Sequence, residues 1–229
     1  MTEREKILAR VREALKVAAP MPGSHGETHL PASSKTVSTA RQWLPKVGET
    51  FDEQLALFAK NAAELKANFH LLNSADEMRS ALLRLRDTEK WQRVALHSGD
   101  LTNPVCPPLN LPFLRTDKPY DVHELETCDV GISECDALVA QTGSVLVTNR
   151  SAGGRALSVL PPHHVVLARR GQLVADLPAA FELLQQKYAA NYPSMISFIT
   201  GPSRTGDIER ILVLGAHGPK KLTIFCLQD

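Results

Sequence analysis

The spacing of apolar positions changes several times along the chain, and each change marks an element. Over residues 2–17, Ile7, Leu8, Val11 and Leu15 share one helical face, with Thr2 and Glu5 at capping-box spacing. Over residues 19–39 that pattern is lost. The stretch is rich in Pro, Gly, Ser, Thr and His and reads as a mobile linker. A stronger helix begins at Thr50, boxed by Glu53, with Phe51, Leu55, Phe58, Ala62, Leu65 and Phe69 stepping by four and three residues. A strand over 69–72 follows. Ser74 and Glu77 then open a helix that turns Met78, Leu82 and Leu85 inward, and 93–97 reads as a strand. Residues 100–128 are proline-rich and read mostly as loop, with a short strand near Leu114. Strands return at 137–140 and 144–148, joined by Gln141-Thr142-Gly143, a connection short enough for an antiparallel pair. A strand over 164–168, a helix over 177–188 capped by Asp176, a buried strand over 195–200 and a last strand over 222–227 complete the pattern.

Strands separated by helices predict an α/β fold with an open sheet, mixed because of the internal hairpin and flanked by helices. Residues 1–40 form an N-terminal helix with its linker, and 41–229 form the α/β domain. The N-terminal helix cannot bury its stripe alone. It docks on its own domain, on a second copy in a homo-oligomer, or on a partner subunit.

Composition narrows the partners. With 43% hydrophobic residues the chain can build a core, and a formal net charge of +1 makes no electrostatic case for nucleic acid or an acidic membrane. No apolar run approaches the roughly 20 residues that span a bilayer. The first residues lack the apolar region of a signal peptide, and Glu3, Glu5 and Glu13 argue against a transit peptide. The expected compartment is the cytoplasm, with all four cysteines reduced.

Chemistry concentrates where the strand over 195–200 stops at Gly201-Pro202. Ser203 and Thr205 offer hydroxyls and Arg204 a planar cation. Gly206 and Asp207 then lead into a helix expected at Ile208-Glu209-Arg210-Ile211-Leu212, whose N-terminal amides favour an anion. The alternative is structural: Ser203 or Thr205 caps that helix while Arg204 pairs with Asp207 or Glu209. Gly143, beside Thr142, either lets backbone approach a ligand or supplies a positive φ for the turn. Arg155 follows Gly153-Gly154 and either swings onto an anion or is solvated. His163 and His164 point to opposite faces of a strand, one expected inside and the other exposed. His217, between Gly215 and Gly218, either works as an acid–base group or holds its loop. Cys106, Cys128, Cys135 and Cys226 include no CxxC pair, so no zinc or cluster ligand set is written here. A site from His123, Cys128 and Cys135 would have to be assembled by folding. Dinucleotide, P-loop and nucleophile-elbow motifs are absent from the sequence.

The segments ECDALVAQTGSVLVTN, GRALSVLPPHHVVLA and PSMISFITGPSRTGDIERILVLGAHGPKKLTIFCL together resemble the lactate utilization protein C (LUD domain) family, over about residues 130–227. The resemblance implies a NagB/RpiA/CoA-transferase-like fold. It also implies a role as the cluster-free subunit of an L-lactate oxidation system whose partner proteins carry iron–sulfur clusters, with no cofactor in this chain. Carried over residue by residue, the ligand-binding positions are Thr142, Gly143, Arg155, Gly201, Ser203, Arg204, Thr205 and Asp207. Gly218 also matches the motif, and His164, His217 and Glu209 are the catalytic candidates. Gln141 stands where many members carry an acidic residue. The ligand expected at residues 201–207 is a small anionic metabolite. Two other functions stay open: a stand-alone enzyme on a phosphorylated or acyl substrate, needing Glu134 or Glu209 as its carboxylate, and a non-catalytic assembly or regulatory subunit.

Overall fold

The computed structural model describes residues 3–14, 16, 44–206, 212–214 and 218–228. By its internal contacts the chain divides into two units, Met1–Leu44 and Pro45–Asp229. Of the first unit, helix α1 (Glu3–Ala14) is described, with Ile7 and Leu8 exposed. The cap expected at Thr2 and the linker over 19–39 lie outside the described residues.

The second unit opens with α2 (Phe51–Glu64), started by a complete capping box. The Thr50 hydroxyl accepts from the Glu53 amide, and the Glu53 carboxylate accepts from the Thr50 amide. Phe58 and Ala62 are the buried part of its stripe. Leu65 is already the C-cap, and Phe69 belongs to the next strand. Strand β1 (Asn68–Leu72) leads to α3 (Ala75–Glu89). Ser74 caps the Glu77 amide as expected, but the Glu77 carboxylate reaches the Asn73 amide, one residue before the cap. Then come β2 (Val94–Leu96), the short α4 (Thr102–Val105), β3 (Phe113–Arg115) and α5 (Val122–Glu126). The proline-rich stretch thus carries two short helices besides the strand expected near Leu114. Next are β4 (Val130–Glu134), β5 (Ala137–Val139), β6 (Ser144–Thr148), β7 (His163–Arg169) and β8 (Leu173–Val174). The chain continues through α6 (Leu177–Tyr188), β9 (Ile196–Ile199), β10 (Arg204–Gly206), β11 (Leu212–Leu214) and β12 (Lys221–Leu227).

The α/β class stands, with the strands divided between sheets. Six strands in the order β1-β12-β7-β4-β2-β3 form a sheet whose pairings are all parallel. The antiparallel hairpin β5–β6 sits in a separate sheet of order β8-β5-β6-β9, and that sheet carries the mixed character. Alternation along β7 shows the layering. Val165 and Leu167 pack with Met78 and Leu82 of α3, whereas Val166 and Ala168 pack with Phe58 of α2 and with Leu138 and Val145 of the second sheet. The far face of that sheet, Ala137, Val139 and Leu146, is covered by Ala180, Leu184 and Tyr188 of α6. The order is therefore helix, parallel sheet, second sheet, helix. A sheet covered on both faces reads as a continuous apolar run, as β7 and β12 do. No helix among the described residues is long and apolar enough to cross a membrane.

Candidate functional site

The segment after β9 departs from the sequence expectation. Arg204–Gly206 is a strand that pairs antiparallel with Leu212–Leu214, where the sequence reading had a turn. The start of the helix expected to favour an anion falls outside the described residues, and Leu212, placed in that helix by the sequence, is in a strand. In addition, β9 belongs to the second sheet, so the rule that ligands gather beyond the carboxyl ends of parallel strands does not apply to this turn.

Gly201 and Arg204 are committed to α2. Gly201 has φ +81°, and a Cβ there would lie 2.6 Å from the Leu65 carbonyl oxygen. The exposed Arg204 donates through Nη2 to that same carbonyl, where a cation meets the negative end of a helix. Arg204 thus places one of its donors on the end of α2, and it is not among the residues that line the pocket around His164. The hairpin tip resolves similarly. Gly143 has φ +65°, and a Cβ would lie 2.8 Å from the Ala62 amide nitrogen, so the close approach is to helix backbone. Asn61 Nδ2 clamps the turn from α2, donating to the carbonyls of Ala140 and Gln141 at 2.9 and 3.0 Å. The Thr142 hydroxyl is buried without a partner there.

What the structure does bring together is Gly201, Ser203, Gly218 and His164. The two glycine motifs touch directly: the Ser203 amide donates to the Pro219 carbonyl at 2.8 Å, and a Cβ on Gly218 would lie 3.1 Å from Ser203 Cβ. They close a pocket of about 190 Å³ at the amino edge of β7 and β12, lined also by Val159, Ile199 and Leu222. His164, 1% exposed, lines it. Its Nε2 lies 2.8 Å from the Ser133 hydroxyl of β4, while Nδ1 has no partner. Burial, helped by the neighbouring His163, pushes its pKa down to about 3. His163 is buried too, against the expectation that one of the pair would be exposed. On the other face of β7 its Nε2 meets the Thr223 hydroxyl at 2.9 Å and its ring packs edge-on to Trp91, and burial lowers its pKa to about 4. Arg155 is exposed beside a short turn and does not line this pocket, and Thr205 lies in β10. Asp207, Glu209 and His217 lie outside the described residues.

The cysteines and His123 do not converge. Cys128 packs beneath α5, Cys135 between the sheets, and His123 is exposed on α5. No group of three potential ligands occurs among the described residues.

A second constellation lies at the carboxyl edge of the parallel sheet, and of its charged residues only Glu134 stood out in the sequence. Here His97, Glu134, Arg150, Arg169 and Lys187 line a cavity of about 560 Å³. The signal available in the sequence was positional, since His97, Glu134 and Arg169 each end or directly follow a strand.

Comparison with known proteins follows the same segments. A family model described as the LUD domain matches residues 95–227. Lactate utilization protein C of Anoxybacillus flavithermus is 35% identical over 109 residues, covering 48% of each chain. Its counterpart in Bacillus subtilis is 32% identical over 111 residues, covering 48% of this chain and 46% of that one. The chain matches about half the length of these curated relatives. A solved structure of a DUF162 family protein from Deinococcus radiodurans aligns over 79% of this chain and 99% of its own, with a TM-score of 0.61 and 20% identity. That likeness concerns the fold.

Proposed function

This chain belongs to the LUD domain family, and from that membership we propose that it serves lactate utilization by holding a small monocarboxylate in the pocket over His164. The supporting observation is that the two family-like motifs meet by a hydrogen bond from Ser203 to Pro219 and close on a buried imidazole with a spare nitrogen. The pocket lies below the roughly 300 Å³ at which sites for drug-sized ligands begin. Its described lining carries no fixed charge. Val159, Ile199, Pro202 and Leu222 suit a methyl group, and Ser203, Thr200 and His164 suit a carboxylate or hydroxyl. A three-carbon hydroxy or oxo acid fits this chemistry better than a phosphate, which calls for cations.

His164 orients the ligand in this reading. A base with a pKa of about 3 is too weak to draw a proton from an alcohol efficiently near neutral pH. If Ser133 donates to Nε2, Nδ1–H donates to the carboxylate; with the other tautomer, Nδ1 accepts from the ligand hydroxyl. Oxidation of lactate to pyruvate releases two electrons and two protons, and the electrons would pass to iron–sulfur clusters in partner proteins. This chain is then the cluster-free subunit of the system. Its place is the cytoplasm, a reading supported by four free, buried thiols.

Calorimetry with L-lactate and pyruvate tests the assignment. Ser203→Ala and Val159→Trp, which respectively remove a donor and fill the apolar wall, should each weaken binding at least tenfold while the fold is retained. Unchanged affinity in both variants would place the ligand elsewhere.

A further inference from the structure

The larger cavity is left unused by that reading, and it sits where an open parallel sheet gathers its ligands. The loop after β2 and the carboxyl ends of β4 and β7 contribute to it, together with the turn after β6 and the end of α6. Three cations reach it, in different states of compensation. Lys187 Nζ lies 2.6 Å from Asp136 Oδ1, and the Tyr188 hydroxyl donates to the same oxygen at 2.6 Å, so this cation is matched by a carboxylate. Arg150 donates to the Asn191 carbonyl at 2.8 Å and lies 5.1 Å from the centre of the Tyr188 ring; both contacts fix its position and leave its charge in place. Arg169 is exposed, and among the described residues its guanidinium has neither ion pair nor hydrogen bond.

Among the described residues, neither acidic member of the lining forms an ion pair with an arginine. Glu134 Oε1 accepts from the amides of Leu101 and Thr102 at 2.8 and 3.0 Å and from the Thr102 hydroxyl at 3.3 Å. A Cβ at Gly99 would lie 2.0 Å from that oxygen, so the loop is built around the carboxylate. Asp100 is the second acid. His97, 4% exposed, also lines the cavity, and its Nδ1 has no partner. A buried polar atom without a partner is costly unless a ligand or water meets it.

We propose that this cavity is a second ligand site, separate from the His164 pocket, for a phosphate-bearing metabolite whose phosphate lies on Arg150 and Arg169. Guanidinium groups match phosphate oxygens by paired hydrogen bonds, and two of them outside any ion pair favour a dianion over a monocarboxylate. The Asp100 carboxylate and the spare nitrogen of His97 suit hydroxyls on the rest of such a molecule. At about 560 Å³ the cavity takes a larger ligand than the first pocket does.

The test is calorimetry on the full chain with inorganic pyrophosphate and with glycerol phosphate. At least one should bind, more weakly as salt rises. Arg169→Ala and Arg150→Ala should each lower that affinity at least tenfold, and Arg169→Lys should lose less. Ser203→Ala should leave it unchanged, while Arg169→Ala leaves L-lactate affinity unchanged, so the two sites fail or stand separately. Neither probe binding, equal affinity in Arg169→Ala, or an equal loss in Ser203→Ala would each overturn the proposal.

Discussion

His163 and His164 are adjacent in sequence and buried on opposite faces of β7, and their titration sets a measurable property of the protein. Their pKa values, about 4 and about 3, lie below the ordinary 6.5. The unfolded chain therefore binds more protons than the folded one between roughly pH 6.5 and 3. Stability is complete above the unfolded pKa and falls as pH drops through that window, by about 1.4 kcal/mol per pH unit for each histidine that stays neutral. Chemical denaturation between pH 7 and pH 5 should show this slope, and His163→Gln should flatten it. A wild-type stability independent of pH over that range would contradict the burial described. Arg204 makes the opposite point, since its residue type suggested a ligand and its contact is a helix carbonyl. Arg204→Ala should cost about 0.5–1.5 kcal/mol, the usual range for one hydrogen bond, and leave L-lactate affinity within twofold. Weakened binding at unchanged stability would return the residue to the site. Nothing in the sequence separates these roles, because an arginine after a turn has the same local context in both.

At the scale of elements, α2 organises more than its own length. Its capping box and stripe were legible because they are local. Its two distant clients, the Gly143 turn held by Asn61 and the Gly201 turn packed on Leu65, were not. Gly143→Ala combines a positive φ with a Cβ driven against helix backbone and should destabilise by about 2 kcal/mol or more. Thermal unfolding checks this, and a melting temperature equal to wild type would show that the turn relaxes freely. Among the elements that escaped the sequence reading, β4 and the β10–β11 pair did so for physical reasons. In β4 the run Val130-Gly131-Ile132-Ser133 offers only two apolar residues although all four positions are buried, and Gly131 must admit the Leu157 carbonyl, 2.4 Å from where its Cβ would be. In the β10–β11 hairpin, Ser203, Thr205 and Asp207 are residues that favour turns and caps alike. Ile208, Ile211 and Leu212 fit a helical step, and only pairing with a partner strand decides.

For the whole molecule, the sequence supported the α/β class but not the division of strands between two sheets. That division separates the cavities. One lies at the amino edge of β7 and β12, closed by the turn after β9; the other lies at the carboxyl edge of β2, β4 and β7. All their lining residues belong to the Pro45–Asp229 unit, so deletion of residues 1–40 should leave both affinities unchanged. A loss of either would give the N-terminal unit a part in binding. The motif Gly201-Pro202-Ser203 was readable as a candidate ligand position, and its company with Gly218-Pro219 was readable as a family trait. That the pocket between them offers neutral donors was not, because it depends on where Arg204 and His164 point. Nitrogen NMR of the histidine side chains during titration with L-lactate tests this account most directly. The His164 Nδ1 resonance should move with saturation while that of His97 stays still. Saturable binding with an unmoved His164 resonance would contradict the account.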